Sequence, residues 1–482
     1  MHHPRQAFRF LRGVAALALP AAAVVGLAAG CGKGAVPPDA GTGPRKIIYW
    51  EKWTGFEGEA AEQVVKTFNA QEQQKARTTP AYRPIQVQLV SVAEIEQKLM
   101  VAIAGGNPPD VAGIETKMLY PYIDKGALLD LTEMIAGAGI SKADYIPVFW
   151  NMCEHHGRQW ALPTTPSTTA LHWNKRLFSE AGLNPDVPPA TLEELDAWAE
   201  KLTRWEVVGG DGTKEIRTGF CTNIPDADKR LVQVGFLPAE PGWWPFLWCY
   251  HFGGRLFDEN GNVTAAAPEN VQAFEWLASY SKKLGVAHLQ RFISGFGNFS
   301  SPQNPFLSGK VAMEIQGVWM YNFIDKYAPG LQWGVAPFPY PKSRPELART
   351  TLADVDMVVI PKGARHPQEA FAFMRYLNSQ EGMEMLCLGH RKFSPLMKVS
   401  SGFVSAHPHP YVALFRDLAF SPTVVAMPKS GTWNEYQREM ENAAGGVQDL
   451  NVTPAAALAG VQARLSGAVE RNRRTSQATP TP

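Results

Sequence analysis

From Lys46 onward, short apolar runs alternate with amphipathic ones, and this alternation constrains the fold more than any other feature of the chain. KIIYW and IQVQLV read as strands. Between them, GEAAEQVVKTFNA carries Ala61, Val64, Val65 and Phe68 on one helical face. SVAEIEQKLMVAIAGG places Ser91 and Glu94 in capping-box spacing, presents Ile95, Leu99, Ala102 and Ile103, and stops at Gly105–Gly106. NPPD then leads into a further apolar run, VAGI. A β–α–β–α order predicts an α/β fold, with a mainly parallel sheet covered by helices on both faces.

The theme continues downstream. Thr191 and Glu194 predict a capped helix whose inner face is Leu192, Leu195, Ala199 and Leu202. Pro268, Pro367 and Pro454 each stand where a helix begins. VVGGDGTKEIRTG reads as a hairpin or loop set, and RNRRTSQATPTP as a disordered tail over 472–482. In PGWWPFLWCYHFGG, Pro245 starts a short helix and Gly253–Gly254 stop it, which makes Phe246, Trp248, Tyr250 and Phe252 mostly core.

At 482 residues the chain exceeds what one core usually supports, so two lobes are expected. Its 46 basic and 45 acidic side chains give a net charge of +1, which argues against a nucleic-acid role. Arg5, Arg9 and Arg12 precede the small-residue apolar run GVAALALPAAAVVGLAAG, broken by Pro20. That pattern reads as a signal peptide over 1–30 rather than a membrane span. The run ends in LAAGC, which resembles a bacterial lipobox with Cys31 as the lipid anchor, although Ala28 stands where Leu is usual. The Gly/Pro-rich segment 31–45 is a flexible tether. The other cysteines, Cys153, Cys221, Cys249 and Cys387, allow disulfides in an exported protein. The apolar surroundings of Cys249 and Cys387 equally suit buried thiols.

Catalytic signatures are missing from the sequence: no G-x-S-x-G elbow, no phosphate-binding loop and no H-E-x-x-H helix. CEHH (153–156) and HPHP (407–410) lack a second cluster of metal ligands and read as loops. A glycosidase carboxylate pair stays open, because it needs only spatial proximity. The stronger signals concern binding. SGKVAMEIQGVWMYNF places Trp319 just past a buried strand, where open α/β sheets collect ligands. TWNEYQREM puts Trp433 at the start of a late helix, and TTPSTT (164–169) is a hydroxyl-rich extended segment.

The mature chain resembles the family 1 extracellular solute-binding proteins of ABC importers, a group rich in sugar binders. The residues that carry the resemblance are AIAGGNPPDV (102–111), YIDKGALLDLTEMI (122–135) and the long segment from Gly157 to Thr203. HFGGRLFDENGNVT (251–264), SGKVAMEIQGVW (308–319) and GVAPFPYP (334–341) extend it, so coverage runs from about residue 46 to 470. The resemblance implies a two-lobe periplasmic-binding-protein clamp with a ligand cleft between the lobes. Three crossovers are expected near Pro163, Pro339 and Gln380. Lobe 1 then comprises 46–163 and 340–380, and lobe 2 comprises 164–339 and 381–471.

The expected ligand is a mono- or oligosaccharide, delivered to a permease without catalysis, cofactor or metal. The expected protein is a monomer anchored by lipid on the periplasmic or extracellular face. Glycerol phosphate or a polyamine is the alternative ligand, and an exported carbohydrate-active enzyme the alternative class. Carried over residue by residue, Trp319 and Trp433 are cleft aromatics, and Glu51 and Trp53 lie in the first-strand loop. Glu115 and Thr116 follow the PDV strand. Thr165 and Ser167 stand where maltose-binding members offer a carboxylate. Asp354, Asp356 and Arg391 are further polar candidates, and Trp243 and Trp244 a possible second stacking wall. These residue types suit a sugar, whose C–H faces lie on aromatic rings and whose hydroxyls need paired donors and acceptors. One stacked face contributes about 1.5 kcal/mol. Micromolar affinity needs about 8 kcal/mol, so polar partners must supply the discrimination.

Overall fold

The computed structural model describes residues 43–240 and 243–478, with side chains through Arg471. The signal peptide, Cys31 and nearly all of the tether lie outside the described residues. Strand β1 (Arg45–Glu51) pairs in parallel with β2 (Ile85–Ser91) and β3 (Val111–Glu115). The Gly55–Thr78 helix buries Ala61, Val64, Val65 and Phe68 against one face of this sheet, as its periodicity predicts. Ile95, Leu99, Met118 and Leu119, from the next two helices, join a cluster with Ala112 and Ile114 of β3. The predicted cap at Ser91 does not form. Ser91 ends β2 and donates its hydroxyl to Trp53 O at 3.0 Å, while the helix starts at Ile95 behind Glu94 at φ +54°. Continuing the strand pairing to Ser91 holds that residue extended and takes the cap away.

A two-stranded hairpin, β4 (Glu154–His155) and β5 (Arg158–Gln159), precedes β6 (Leu162–Asn174), which is buried along all 13 residues. The remaining strands are β7 (Arg204–Val208), β8 (Lys214–Thr218), β9 (Lys229–Phe236), β10 (Val311–Gly317), β11 (Trp333–Ala336), β12 (Thr351–Val359) and β13 (Val424–Ala426). The 11-stranded sheet runs β2-β1-β3-β12-β6-β10-β9-β7-β8, with β11 on β6 and β13 on β12. Mixed pairing corrects the mainly parallel expectation, since β12 is antiparallel to both β3 and β6.

β6 changes partners along its length. Residues 162–168 pair with β12, whereas 169–174 lie between β10 and β11. At the change, Thr351 Oγ1 accepts from Thr169 N at 2.9 Å and donates to Thr169 O at 2.8 Å. Thr169 Oγ1 in turn accepts from Leu352 N at 3.1 Å. Buried hydroxyls thus satisfy backbone groups that the strand ladder leaves open.

The expected capping box at Thr191 and Glu194 is present, and the Leu192–Leu202 helix packs so close to β9 that a Cβ on Gly235 would meet Ala199 O at 2.2 Å. Pro268, Pro367 and Pro454 each open a helix. The last of these runs to Ala478, so its backbone is helical through most of the predicted disordered tail; propagation past a packed helix adds one hydrogen bond per residue. Cys153, Cys221, Cys249 and Cys387 are free thiols, three of them buried.

The largest apolar cluster gathers residues from Leu171 to Val469, and two others cover the faces of the β1–β3 region. The chain passes between these clusters at 170–171 in β6, between Ile315 and Val318, at 335–336 in β11, at 352–353 in β12, and between Ala419 and Met427. Residues 381–419, expected in the second lobe, instead pack on the first side: Leu386 joins Phe68 and Phe373, and Phe393, Phe415 and Leu418 join Met118 and Phe149.

Candidate functional site

Where β1, β3, β6 and β12 approach the partner change, their charged and hydroxyl side chains meet on one face. Asp356 lies opposite Glu115 across the β3–β12 pair, and Asp354 opposite Ser167 across β12–β6. Lys52 forms an ion pair with Asp356 and reaches Glu115 Oε1 at 3.4 Å. Asp356 Oδ2 accepts from Thr165 Oγ1 at 2.8 Å and lies 3.6 Å from Lys392 Nζ. Burial alone would raise the Asp356 carboxyl, but Lys52 and Lys392 outweigh it and hold the group far below the usual range. Glu115 is also lowered, burial being overcome by Lys52 and Lys117.

Two neighbouring carboxyls go the other way. Burial pushes Asp354 up to about 6, and the charge of Asp356 adds to that push. Burial pushes Glu51 up to about 7, against the opposing effects of Lys52 and of the Tyr49 hydroxyl, which donates to Glu51 Oε2 at 2.7 Å. Glu51 corrects the expectation of a ligand contact. Its carboxylate fills the space above Gly113, where any Cβ would lie 1.7 Å from Oε2, and it is 2% exposed. Thr116 is buried likewise, its hydroxyl spent on Val355 O at 2.9 Å.

The aromatic half is built from the end of β10. Trp319 folds back over the strand, and Gly317 makes this possible, since a Cβ there would sit 2.3 Å from the indole. Its Nε1 donates to Gln316 Oε1 at 3.1 Å, and its half-buried ring meets Trp244 edge-on at 6.1 Å and Phe299 at 5.9 Å. Trp244 remains half-buried beside it, whereas Trp243 is core, as are Trp248 and Phe246. Trp433 also departs from expectation. The first turn of its helix aims it inward with Tyr436 and Met440, and Phe246 packs edge-on against it at 4.9 Å, leaving it no exposed surface. Trp53 is buried against His390, with ring centroids 4.4 Å apart.

Arg391 was expected to contact ligand, but it is engaged as a clasp. Its guanidinium pairs with Asp325 Oδ2 at 2.6 Å and lies over the rings of Phe56 and Tyr321. Beside it, Asn322 Nδ2 donates to His390 O at 3.2 Å. Lys52, Lys392, Gln316 and Glu240 escaped the sequence reading. Lys52 beside Glu51, Lys392 beside Arg391 and Gln316 three residues before Trp319 each had a neighbour among the expected contacts, whereas Glu240 comes from a distant segment. Elsewhere, a cavity of about 840 Å³ is lined by His155, His156, Tyr250, Arg255, Phe257 and Lys429, and none of the predicted contact residues borders it.

Glu51 provides a pH test. Its folded-state pKa of about 7 exceeds the ordinary 4.5, so the folded protein binds more protons than the unfolded chain in that window. The contribution of Glu51 to stability therefore falls as pH rises from about 4.5 to 7, by about 3 kcal/mol in total, and is flat above. Glu51→Gln should remove this slope, so its stability relative to wild type should rise between pH 5 and pH 8 in urea unfolding. Parallel pH dependences in the two proteins would contradict the assignment.

Comparison with known proteins agrees with this architecture. A binding protein of Brucella abortus is 25% identical over 336 residues, covering 68% of this chain and 73% of its own length. The maltotriose-binding protein of Pyrococcus abyssi is 22% identical over 288 residues, 59% of this chain and 54% of the relative. The solved structure of CpMnBP1 with mannobiose bound superposes with a TM-score of 0.69 at 28% identity, over 87% of this chain and 98% of that one. Residues 63–409 match the model of the bacterial extracellular solute-binding proteins, and the chain belongs to that family.

Proposed function

We propose that the protein is the substrate-binding subunit of an ABC importer and captures an oligosaccharide between its two lobes. The observation that carries this reading is the presence of two chemistries around the partner change of β6: half-buried rings just past the end of β10, and polar groups at 167, 354 and 115 of the adjoining strands. Trp319 and Trp244 offer half-buried rings from the end of β10 and the 243–246 loop, while Ser167, Asp354 and Glu115 offer a hydroxyl and carboxylates; Thr165, 1% exposed with its hydroxyl donated to Asp356, is spent on that pair. Rings accept the apolar sugar face, and carboxylates and hydroxyls pair with its edge. The mannobiose and maltotriose bound by relatives support that class. Asp356 is spent on Lys52, Lys392 and Thr165, which leaves it a poor base or nucleophile. That pairing supports capture over turnover. Glycerol phosphate would favour free cations at the site, and Lys52 and Lys392 are already paired.

A ligand that binds only the folded clamp raises its stability, by about 2.7 kcal/mol at a hundredfold excess over Kd. Mannobiose and maltotriose should therefore raise the melting temperature, and Trp319→Ala should weaken binding at least roughly tenfold at a temperature where the variant remains folded. The ligand class is wrong if neither sugar stabilises the protein while glycerol phosphate or a polyamine does; wild-type affinity in Trp319→Ala removes that ring from the site. We also propose that Cys31 carries the lipid that anchors a monomer outside the cell, with residues 31–45 as the tether. Mass spectrometry of the mature N-terminus should show a diacylglyceryl Cys31, and an unmodified terminus would overturn the anchor.

A further inference from the structure

Two carboxylic acids lie buried beneath Trp319, outside the charged cluster described above. Glu314 projects from β10 and is 1% exposed; Glu240 comes from the loop after β9 and is 7% exposed. Glu240 is held by two amides. Asn304 Nδ2 donates to its Oε1 at 2.9 Å, and Gln316 Nε2 donates to its Oε2 at 3.2 Å. The second of these bonds fixes which way the Gln316 amide points, because its nitrogen must face Glu240. Gln316 Oε1 is then left to accept from the Trp319 indole at 3.1 Å. The chain of contacts is Glu240, Gln316, Trp319, and every polar atom in it has one role.

We propose that Glu240 is a positioning residue for Trp319, acting through Gln316. This rests on the reading of Trp319 as a ligand contact only for its bearing on affinity.

Both oxygens of Glu240 already accept, so the group fits the site best as a carboxylate. Glu314 cannot ionise beside it at neutral pH. Burial and the Glu240 charge push Glu314 well above the ordinary range. The groups facing the pair are Gln316 from β10, Asn304 from the loop before it, and His172, the cross-strand partner of Glu314. Burial lowers His172 to about 3, which keeps the imidazole neutral throughout. Glu240 is itself pushed up to about 7 by burial, against the hydrogen bonds from Gln316, Glu314 and Asn304. When pH falls through that value, the new proton occupies an oxygen that had been accepting. The hold on the Gln316 amide weakens, and the Trp319 indole loses its fixed partner.

The test is ¹⁹F NMR of protein labelled with 5-fluorotryptophan, titrated from pH 5.5 to 8.5 without ligand, with Trp319→Phe identifying the resonance. The Trp319 line should shift with a midpoint near pH 7 in wild type. The shift should persist in Glu314→Gln, whose amide replaces an acid that is already neutral, and vanish in Glu240→Gln. Gln316→Leu should also abolish it, which keeps the test decisive should Glu240→Gln not fold. A Trp319 line that does not titrate in wild type, or titrates equally in Glu240→Gln or Gln316→Leu, overturns the proposal. Mannobiose affinity should weaken severalfold below the same midpoint; if mannobiose binds at no pH, the sugar reading fails while the fluorine titration still decides the role of Glu240.

Discussion

The structure depends on one antiparallel pair, β6 with β12, that belongs to two hydrophobic cores at once. β6 leaves the Met118 and Phe149 side and enters the cluster of Phe236 and Trp248 at 170–171, and antiparallel β12 makes the opposite passage at 352–353. A strand that changes partners exposes backbone groups in a buried place, where each unsatisfied group costs about 1–3 kcal/mol. Thr169 and Thr351 meet that cost with hydroxyls, and Thr168 Oγ1 donates to Phe415 O at 2.6 Å on the other face. The hydroxyl-rich TTPSTT segment is therefore structural at Thr168 and Thr169, and leaves Thr165 and Ser167 to face the charged cluster.

That cluster divides its acids by environment. Asp356 stays ionised because two lysines converge on it, whereas Asp354 and Glu51, a few residues away in the same sheet, are raised by burial. Oppositely charged groups already paired in the unliganded protein give a floor with polar partners but little net charge. Such a floor discriminates among hydroxyls better than it attracts ions. Rings and acids come from different cores, so the relative placement of those cores governs whether both reach one ligand.

Local chemistry was readable in the sequence where its signals are short-range. The Thr191 capping box, the prolines at helix starts and the inner face of Gly55–Thr78 all follow from neighbours within a few residues. Ser91 has the same kind of local signal, but pairing with β1 overrides it. Trp433 shows the limit for the site. Its position at a helix start is legible, but only the placement of Phe246 and Tyr436 around it shows that the ring is buried. Glu240, Asn304 and Gln316 are separated by up to 76 residues and meet only through β9 and β10, so no local pattern announces them. The passage after Ala419 was misplaced for a similar reason: the apolar residues of 381–419 suit either core, and their periodicity does not say which.

The central claim is that sugar is held between Trp319 and the cluster at the ends of β3, β6 and β12. A crystal structure of the protein with mannobiose tests it most directly. A sugar ring should stack on Trp319 with its hydroxyls toward Ser167, Asp354 or Glu115. Mannobiose lodged instead in the 840 Å³ cavity beside Tyr250, Arg255 and Lys429, with Trp319 uncontacted, would contradict it.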